Sequence, residues 1–308
     1  MSHPLLIVLG PTASGKTNLA VKLAEKFNGE IISADSRQIF KDMDIGTGKD
    51  LDEYFIDGKS IPHHLINIKE AGEKYNVDAF KNDFYAAYLD IIQRKKTPIL
   101  CGGTGMYIHS LLQNQEFTAV PKDEDLRADL QKLDKETLLQ KLETYPKEIT
   151  KNVDQSSSKR LIRAIEIAEF LSHHQLIKIE RPTINPIVIG LQSDVESRRK
   201  RILARLDFRL KSGLIEEVES LLAKGISKEI LIFYGLEYKF ITSYLSDELD
   251  FATLRERLGT AICQFAKRQM TFFRKMEKDG VQIKWFDVND NFLKEKVIKL
   301  VEPKFDSK

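Results

Sequence analysis

Leu5-Leu6-Ile7-Val8-Leu9-Gly10-Pro11-Thr12-Ala13-Ser14-Gly15-Lys16-Thr17 is the stretch from which the rest of the chain is read. Its first five residues are an unbroken apolar run, the mark of a strand buried on both faces in a parallel sheet. The next eight fit G-x-x-x-x-G-K-[ST], and a helical pattern follows from about Thr17 to Phe27. Strand, glycine-rich loop and helix in that order make a phosphate cradle. Glycines let the backbone curl until several N–H groups point inward. The helix presents its positive end to the same place. Lys16 adds a point charge, and the Thr17 hydroxyl can hold Mg²⁺. Gly10, Thr12, Ala13, Ser14, Gly15, Lys16 and Thr17 are therefore the expected holders of a diphosphate or polyphosphate. Most such motifs use ATP or GTP, and the loop alone does not name the reaction.

Strand and helix signals alternate outward from this loop. Glu30 to Ser33 reads as a second strand and His64 to Ile68 as a third. Val77 to Arg94 reads as a helix, Pro98 to Cys101 as another buried strand, and Gly102-Gly103-Thr104-Gly105 opens a helix toward Leu112. This predicts an α/β fold with a parallel sheet flanked by helices. From Asp123 to Phe170 the periods are helical with little strand signal. The strand pattern resumes at Pro186-Ile187-Val188-Ile189-Gly190. The expected organisation is a core of residues 1–114 and 186–308, with residues 115–185 as an inserted all-helical subdomain. Val195 to Met276 is again largely helical, followed by a strand over Val281 to Phe286 and a helix near Asn291 to Val301.

Composition narrows the function classes. The chain has 308 residues, 42% hydrophobic and 31% charged, enough for a real core and against wholesale disorder. Its 48 Lys+Arg against 46 Asp+Glu leave a net +2, which excludes a polycationic tail and makes the distribution of charge the informative quantity. Cys101 and Cys263 cannot build a disulfide framework or a four-cysteine zinc site; they read as small buried hydrophobes in a reducing, cytoplasmic setting. No run approaches the roughly 18 apolar residues of a membrane span, and no leader is expected ahead of Leu5. Adjacent histidines on a strand point to opposite faces, so His63-His64 and His173-His174 are expected to be structural or surface residues.

Asp35 follows the second strand, so it belongs at the C-terminal edge of the sheet, where open α/β folds bind ligands. A carboxylate there could be a general base, a Mg²⁺ partner, or the N-cap of a helix starting near Ser36. Ser36, Arg37 and Gln38 follow with groups able to read a base or bind phosphate. Further on, Arg198, Arg201, Arg205 and Arg209 fall at i, i+3, i+7 and i+11, one basic stripe on a helix. It is either a solvated face or an anion clamp.

Taken together, several blocks resemble the tRNA dimethylallyltransferase family (IPP transferases). They are the phosphate loop, Ala34-Asp35-Ser36-Arg37-Gln38-Ile39-Phe40, Met43-Asp44-Ile45-Gly46-Thr47-Gly48-Lys49 and Ile61-Pro62-His63-His64-Leu65-Ile66. Gly102-Gly103-Thr104-Gly105-Met106-Tyr107, Arg160-Leu161-Ile162-Arg163-Ala164-Ile165-Glu166 and Ala266-Lys267-Arg268-Gln269-Met270-Thr271-Phe272-Phe273-Arg274 continue the series. The resemblance runs from about residue 5 to 275. It implies a P-loop NTPase-like core and a transferase of bacterial type, since the cysteine and histidine finger of eukaryotic relatives is absent. The reaction implied moves a dimethylallyl group from dimethylallyl diphosphate to N6 of adenosine 37 in the anticodon stem-loop of tRNA and releases diphosphate. The loop would then hold a leaving group rather than a nucleotide, with Mg²⁺ at Thr17.

The resemblance also implies roles for single residues. Asp35 is the base, and Arg205 joins Lys16 and Thr17 on the diphosphate. Ser36, Arg37, Gln38 and Thr104 touch the flipped nucleotide. Lys159, Arg160 and Arg163 contact tRNA, with Arg127 a further candidate. Gln264, Lys267, Arg268, Arg274 and Lys275, interleaved with Phe265, Phe272 and Phe273, form a second basic region. Neither a membrane nor an obligate protein partner is implied. The chain departs from the family at Gly48-Lys49-Asp50, where Ala-Lys-Pro is usual, and at Asn67, where aspartate is common. It departs again at Asn152 to Lys159 and at Gly235-Leu236-Glu237-Tyr238-Lys239. Three other readings stand beside this one. An adenylate dimethylallyltransferase would act on free nucleotides, which need neither the insertion nor the basic C-terminal block. A nucleotide or nucleoside kinase would share the loop and the Mg²⁺ site. A non-enzymatic RNA-binding protein is hard to square with an intact Lys16, Thr17 and Asp35.

Overall fold

The computed structural model describes residues 3–113, 115–151, 153–177 and 179–305. The chain divides into two compact units, residues 1–113 with 182–308, and residues 114–181. The larger unit opens with β1 (His3–Leu9), α1 (Lys16–Lys26) and β2 (Gly29–Ser33). The short strands β3 (Phe55–Ile56), β4 (Lys59–Ser60) and β5 (His63–His64) follow, then α2 (Val77–Gln93), β6 (Thr97–Gly102) and α3 (Gly105–Leu112). The smaller unit holds α4 (Glu124–Leu130), α5 (Lys135–Glu143), α6 (Lys147–Thr150) and α7 (Ser158–His173). The larger unit resumes with β7 (Ile184–Gln192), α8 (Val195–Lys211), α9 (Leu214–Ala223), α10 (Lys228–Tyr234), α11 (Leu236–Leu245), α12 (Phe251–Lys278), β8 (Ile283–Asp287) and α13 (Leu293–Val301).

Six strands form one parallel sheet in the order β5-β2-β6-β1-β7-β8. Alternation along β1 splits the core. Leu5, Ile7 and Leu9 face a layer that includes Phe80, Phe84 and Phe273, whereas Leu6 and Val8 face Leu19, Leu23, Val297 and Val301. Pro4, Pro98 and Pro186 all lie inside strands. Each sits where only one neighbouring strand is paired: β6 joins β1 from Leu6, β1 joins β6 from Ile99, and β8 joins β7 from Val188. A missing N–H there breaks no ladder. A third cluster packs α8 to α12 against Ile39, Phe40 and Met43. The helical unit closes its own core with Leu130, Leu138, Leu142, Leu161 and Ile165.

Two sequence expectations need correction. The third strand stops at His64, because Leu65 (φ 62°) and Asn67 (φ 57°) take left-handed backbone and end the extended run. No helix starts at Ser36 either; residues 36–39 form a turn in which the Asp35 carboxylate accepts the Arg37 N–H at 2.9 Å. Asp35 therefore caps a turn rather than a helix.

Candidate active site

The phosphate loop emerges from β1 at the centre of the sheet and enters α1. Gly15 has φ 71° and nothing within 4 Å of an added Cβ, so its backbone conformation, not crowding, calls for glycine. Gly10 is different: a Cβ there would lie 2.7 Å from Ser14 Oγ and 3.2 Å from Leu191. The Ser14 hydroxyl is buried and has no hydrogen-bond partner among the described residues, although it lines the cleft. An unpaired buried hydroxyl costs about 1–3 kcal/mol, so this group fits an incoming anion. Burial pushes the Lys16 ammonium below the usual lysine range; Arg205 adds to the shift, and Cys101, Asp35 and Glu53 oppose it. Beneath the loop, burial pushes the Cys101 thiol up to about 12, which makes it an inert packing group.

One cleft of about 580 Å³ joins this loop to Asp35. Seven basic and four acidic side chains line it, so a chain of net +2 concentrates positive charge here. Three of the four arginines of the α8 stripe, Arg201, Arg205 and Arg209, line the cleft; Arg198 does not. Arg201 donates to Ala13 O at 3.2 Å and to Ser193 Oγ at 2.6 Å, bracing the loop from behind. Arg209 is buried and paired with Asp50 at 3.0 Å. Arg205 lies between them in the cleft and makes no hydrogen bond or salt bridge among the described residues.

The second half of the cleft is the segment after β2. Thr104 Oγ1 accepts the Ser36 N–H at 3.0 Å, and Thr104 N–H donates to Ala34 O at 3.1 Å. Asp35 uses one carboxylate oxygen on its own turn and leaves the other free among the described residues. Gln38 is spent on structure: its Oε1 accepts from Ser33 Oγ and its Nε2 donates to Gly48 O, each at 2.9 Å. Arg37 stacks its guanidinium 5.5 Å from the Phe233 ring centroid, on a ring 73% exposed.

The departures at Gly48-Lys49-Asp50 and Asn67 form one cluster. Lys49 is buried and its Nζ donates to Phe40 O and Asp44 Oδ1, each at 2.6 Å, and to Asn67 Oδ1. Gly48 has φ 66°, and a Cβ on it would overlap the Arg205 and Arg209 guanidinium groups. Asn152 lies outside the described residues.

Two residues central to this geometry carry no role in the sequence reading. Gln269 on α12 accepts from Thr12 N–H at 2.8 Å and donates to Gly103 O at 3.0 Å. Glu217 on α9 accepts the N–H groups of Asp44, Ile45 and Gly46 at 2.8, 2.6 and 3.0 Å, and the Tyr238 hydroxyl at 2.7 Å. Both had one available signal, a polar side chain at an apolar stripe position. Gln269 falls in register with Ile262, Ala266 and Phe273, and Glu217 with Leu214 and Leu221.

The basic residues named for tRNA fall into different states. In the helical unit, Arg127 grips the buried Glu166 through both carboxylate oxygens, at 3.1 and 2.5 Å. Arg163 donates to the carbonyls of Phe117, Val120 and Pro121. These two side chains hold the unit together rather than stand free. Arg160 is exposed and paired with Asp154, and Lys159 is exposed. On α12, Lys267, Arg268 and Arg274 are exposed, and Arg268 lines the cleft with its guanidinium 5.9 Å from the Phe265 ring. Of the three interleaved phenylalanines, Phe273 is core and Phe272 packs over Gly105, while Phe265 is exposed in the cleft.

With this geometry in hand, residues 38–276 match the family model described as IPP transferase, and residues 3–67 one described as isopentenyl transferase. A Porphyromonas gingivalis protein named tRNA dimethylallyltransferase 2 is 50% identical over 283 residues, covering 92% of this chain and 93% of its own. The structure of a tRNA isopentenylpyrophosphate transferase from Bacillus halodurans superposes with a TM-score of 0.71 at 29% identity, covering 98% of this chain and 97% of its own. One from Staphylococcus epidermidis gives 0.68 at 31%, covering 98% and 100%.

Proposed function

The chain belongs to the IPP transferase family, and from that premise we propose a complete reading of its prenylation of tRNA: dimethylallyl diphosphate is the donor and N6 of adenosine 37 the acceptor. The observation that carries it is the single cleft uniting Lys16 with Asp35. The similarity to proteins named tRNA dimethylallyltransferase favours a tRNA acceptor over a free nucleotide or a kinase reaction.

The allylic C–O bond breaks with positive charge on carbon and negative charge on the departing diphosphate. Stabilising that anion in place is the main task. The loop N–H groups, the unpaired Ser14 hydroxyl, Lys16 and the uncommitted Arg205 are suited to it. The exocyclic amine is a weak nucleophile because its lone pair is delocalised into adenine. The free oxygen of Asp35 accepts its proton as the N–C bond forms. The base must leave its stack to reach a cleft of this kind, and the exposed Phe233 and Phe265 offer stacking faces at hand.

The Thr17 hydroxyl is a hard oxygen donor lining the cleft beside the phosphate loop, and it suits Mg²⁺ shared with the diphosphate. When bound, the ion would neutralise part of the leaving group's charge. Among the described residues no helix is long and apolar enough to cross a membrane, in keeping with a cytoplasmic enzyme. The test is labelling of an anticodon stem-loop carrying three consecutive adenosines with radiolabelled dimethylallyl diphosphate, with AMP as competitor. Incorporation at the middle adenosine, undiminished by AMP, is the expected result. No incorporation into any tRNA overturns the reading.

A further inference from the structure

The cleft is assembled from three strand ends. The phosphate loop follows β1 and the Asp35 segment follows β2, but β6 lies between these two strands in the sheet. The loop after β6 therefore separates the diphosphate half from the base half. Gln269 reaches this junction from α12, outside the sheet. Its Oε1 accepts from Thr12 N–H in the phosphate loop, and its Nε2 donates to Gly103 O after β6. The next residue, Thr104, bonds onward to Ala34 O and the Ser36 N–H, the residues that flank Asp35. Hydrogen bonds joined by the Gly103–Thr104 peptide thus link the phosphate loop to the two neighbours of Asp35, and among the described residues Gln269 is the link supplied from a distant helix.

The link is built to fit. Gln269 is 9% exposed on the apolar face of α12. A Cβ on Gly103 would lie 2.5 Å from Gln269 Nε2, so glycine makes room for the amide. An amide offers a donor and an acceptor at once, as this junction needs. An apolar side chain would leave the Thr12 N–H and the Gly103 carbonyl without partners, and both loops would be free to move toward water.

We propose that Gln269 is a positioning residue for prenyl transfer, setting the separation between the phosphate loop and Asp35. The inference rests on the tRNA prenylation reading above. Transfer requires the allylic carbon and the acceptor nitrogen to meet at roughly 3–3.5 Å, and a 1 Å error can cost about 10²-fold in rate. Gln269 lines the cleft, but its Oε1 and Nε2 are both engaged by the two loops, so its loss is expected to act on the rate of the bound complex more than on tRNA affinity.

The experiment measures single-turnover transfer with tRNA and dimethylallyl diphosphate both saturating, normalised to folded enzyme, for wild type, Gln269→Met, Gly103→Ala and the double variant. Gln269→Met is expected to lose on the order of 10-fold in rate while tRNA Kd stays within about twofold. Gly103→Ala, which displaces the same amide, is expected to lose a similar factor. The double variant should be no worse than the weaker single variant, since both break one link. Should Gln269→Met fail to fold, Gly103→Ala and Gln269→Asn carry the same comparison. Rates within twofold of wild type, or losses that multiply in the double variant, overturn the proposal. A wild-type enzyme with no transfer overturns the underlying reading instead.

Discussion

Both carboxylate oxygens of Asp50 lie 3.0 Å from Nη2 of Arg209, and this pairing separates the roles of two neighbouring arginines. Arg209 is neutralised within the protein, whereas Arg205 beside it keeps its charge for a ligand. Asp50 is thus a local counterweight at the diphosphate site. Asp50→Asn removes one negative charge from the cleft. Diphosphate should then bind tighter by roughly 10-fold, about 1.4 kcal/mol, the interaction of unit charges about 12 Å apart at an effective dielectric near 20. Product inhibition by diphosphate measures it; unchanged or weaker inhibition would remove Asp50 from this role.

Arg205 itself is an uncommitted cation. Arg205→Ala should lower the single-turnover rate by about 10²-fold, the usual loss when one donor to a developing anion is removed. Stability should change by less than about 0.5 kcal/mol, because no intramolecular bond is lost. A large drop in Tm would mean that the side chain is structural.

Asp35→Asn keeps the acceptor that caps the turn at Arg37 and removes the base. Transfer should fall on the order of 10²-fold with tRNA Kd nearly unchanged. Transfer at the wild-type rate would leave Asp35 as a turn residue only.

Lys16 exacts a stability cost for its function, and the sign follows from its lowered pKa. Between the folded value and the ordinary 10.5, the unfolded chain binds more protons, so stability rises with pH through that window. Below it, the full cost of burying the ammonium is present. Lys16→Met should therefore abolish transfer yet raise Tm at neutral pH, by about 2–4 °C per kcal/mol recovered. The gain should shrink as pH climbs toward 10.5. Thermal unfolding across pH 7 to 10 tests this, and a Tm lowered at neutral pH would contradict it.

Much of this site was legible in the chain because its chemistry is local. The phosphate loop needs consecutive residues, and its strand and helix adjoin it in sequence. The Asp35 turn and the arginine stripe are likewise short periodic patterns. Residues acting across long sequence separations were not legible. Gln269 meets Thr12 and Glu217 meets Asp44, contacts that only the packing of helices on the sheet creates. The same holds for Arg127 and Arg163. The resemblance implies RNA contacts for them, and the fold adds partners that the sequence does not show: the buried Glu166 and three carbonyls. Composition reports that a charge exists, not whether the fold has already spent it.

Glu217 is expected to be a stability residue that acts on the site through the loop it holds. Glu217→Ala strands three backbone N–H groups and the Tyr238 hydroxyl, at a cost of about 3 kcal/mol. Tyr238→Phe loses one of those bonds, about 1 kcal/mol. Urea midpoints at constant m-value provide the measurement. Equal effects of the two substitutions would show that the backbone bonds contribute little.

In the helical unit the cations divide by what already holds them. The Glu166 side chain has no exposed surface and Arg127 is its bidentate partner, so Arg127→Ala leaves a carboxylate buried with Arg163, at 3.6 Å, as its remaining ion-pair partner among the described residues. Breaking such a pair costs about 3 kcal/mol or more, and the unit should loosen first. Hydrogen exchange would show protection lost in α4 and α7 ahead of the sheet. Lys159 stands exposed at the start of α7. Lys159→Ala should leave stability within about 0.5 kcal/mol. It should weaken tRNA binding a few-fold and reduce the slope of log Kd against log salt by about 1. If instead Lys159→Ala unfolds the unit while Arg127→Ala only changes the salt slope, the division between structural and RNA-facing cations drawn from their partners is reversed.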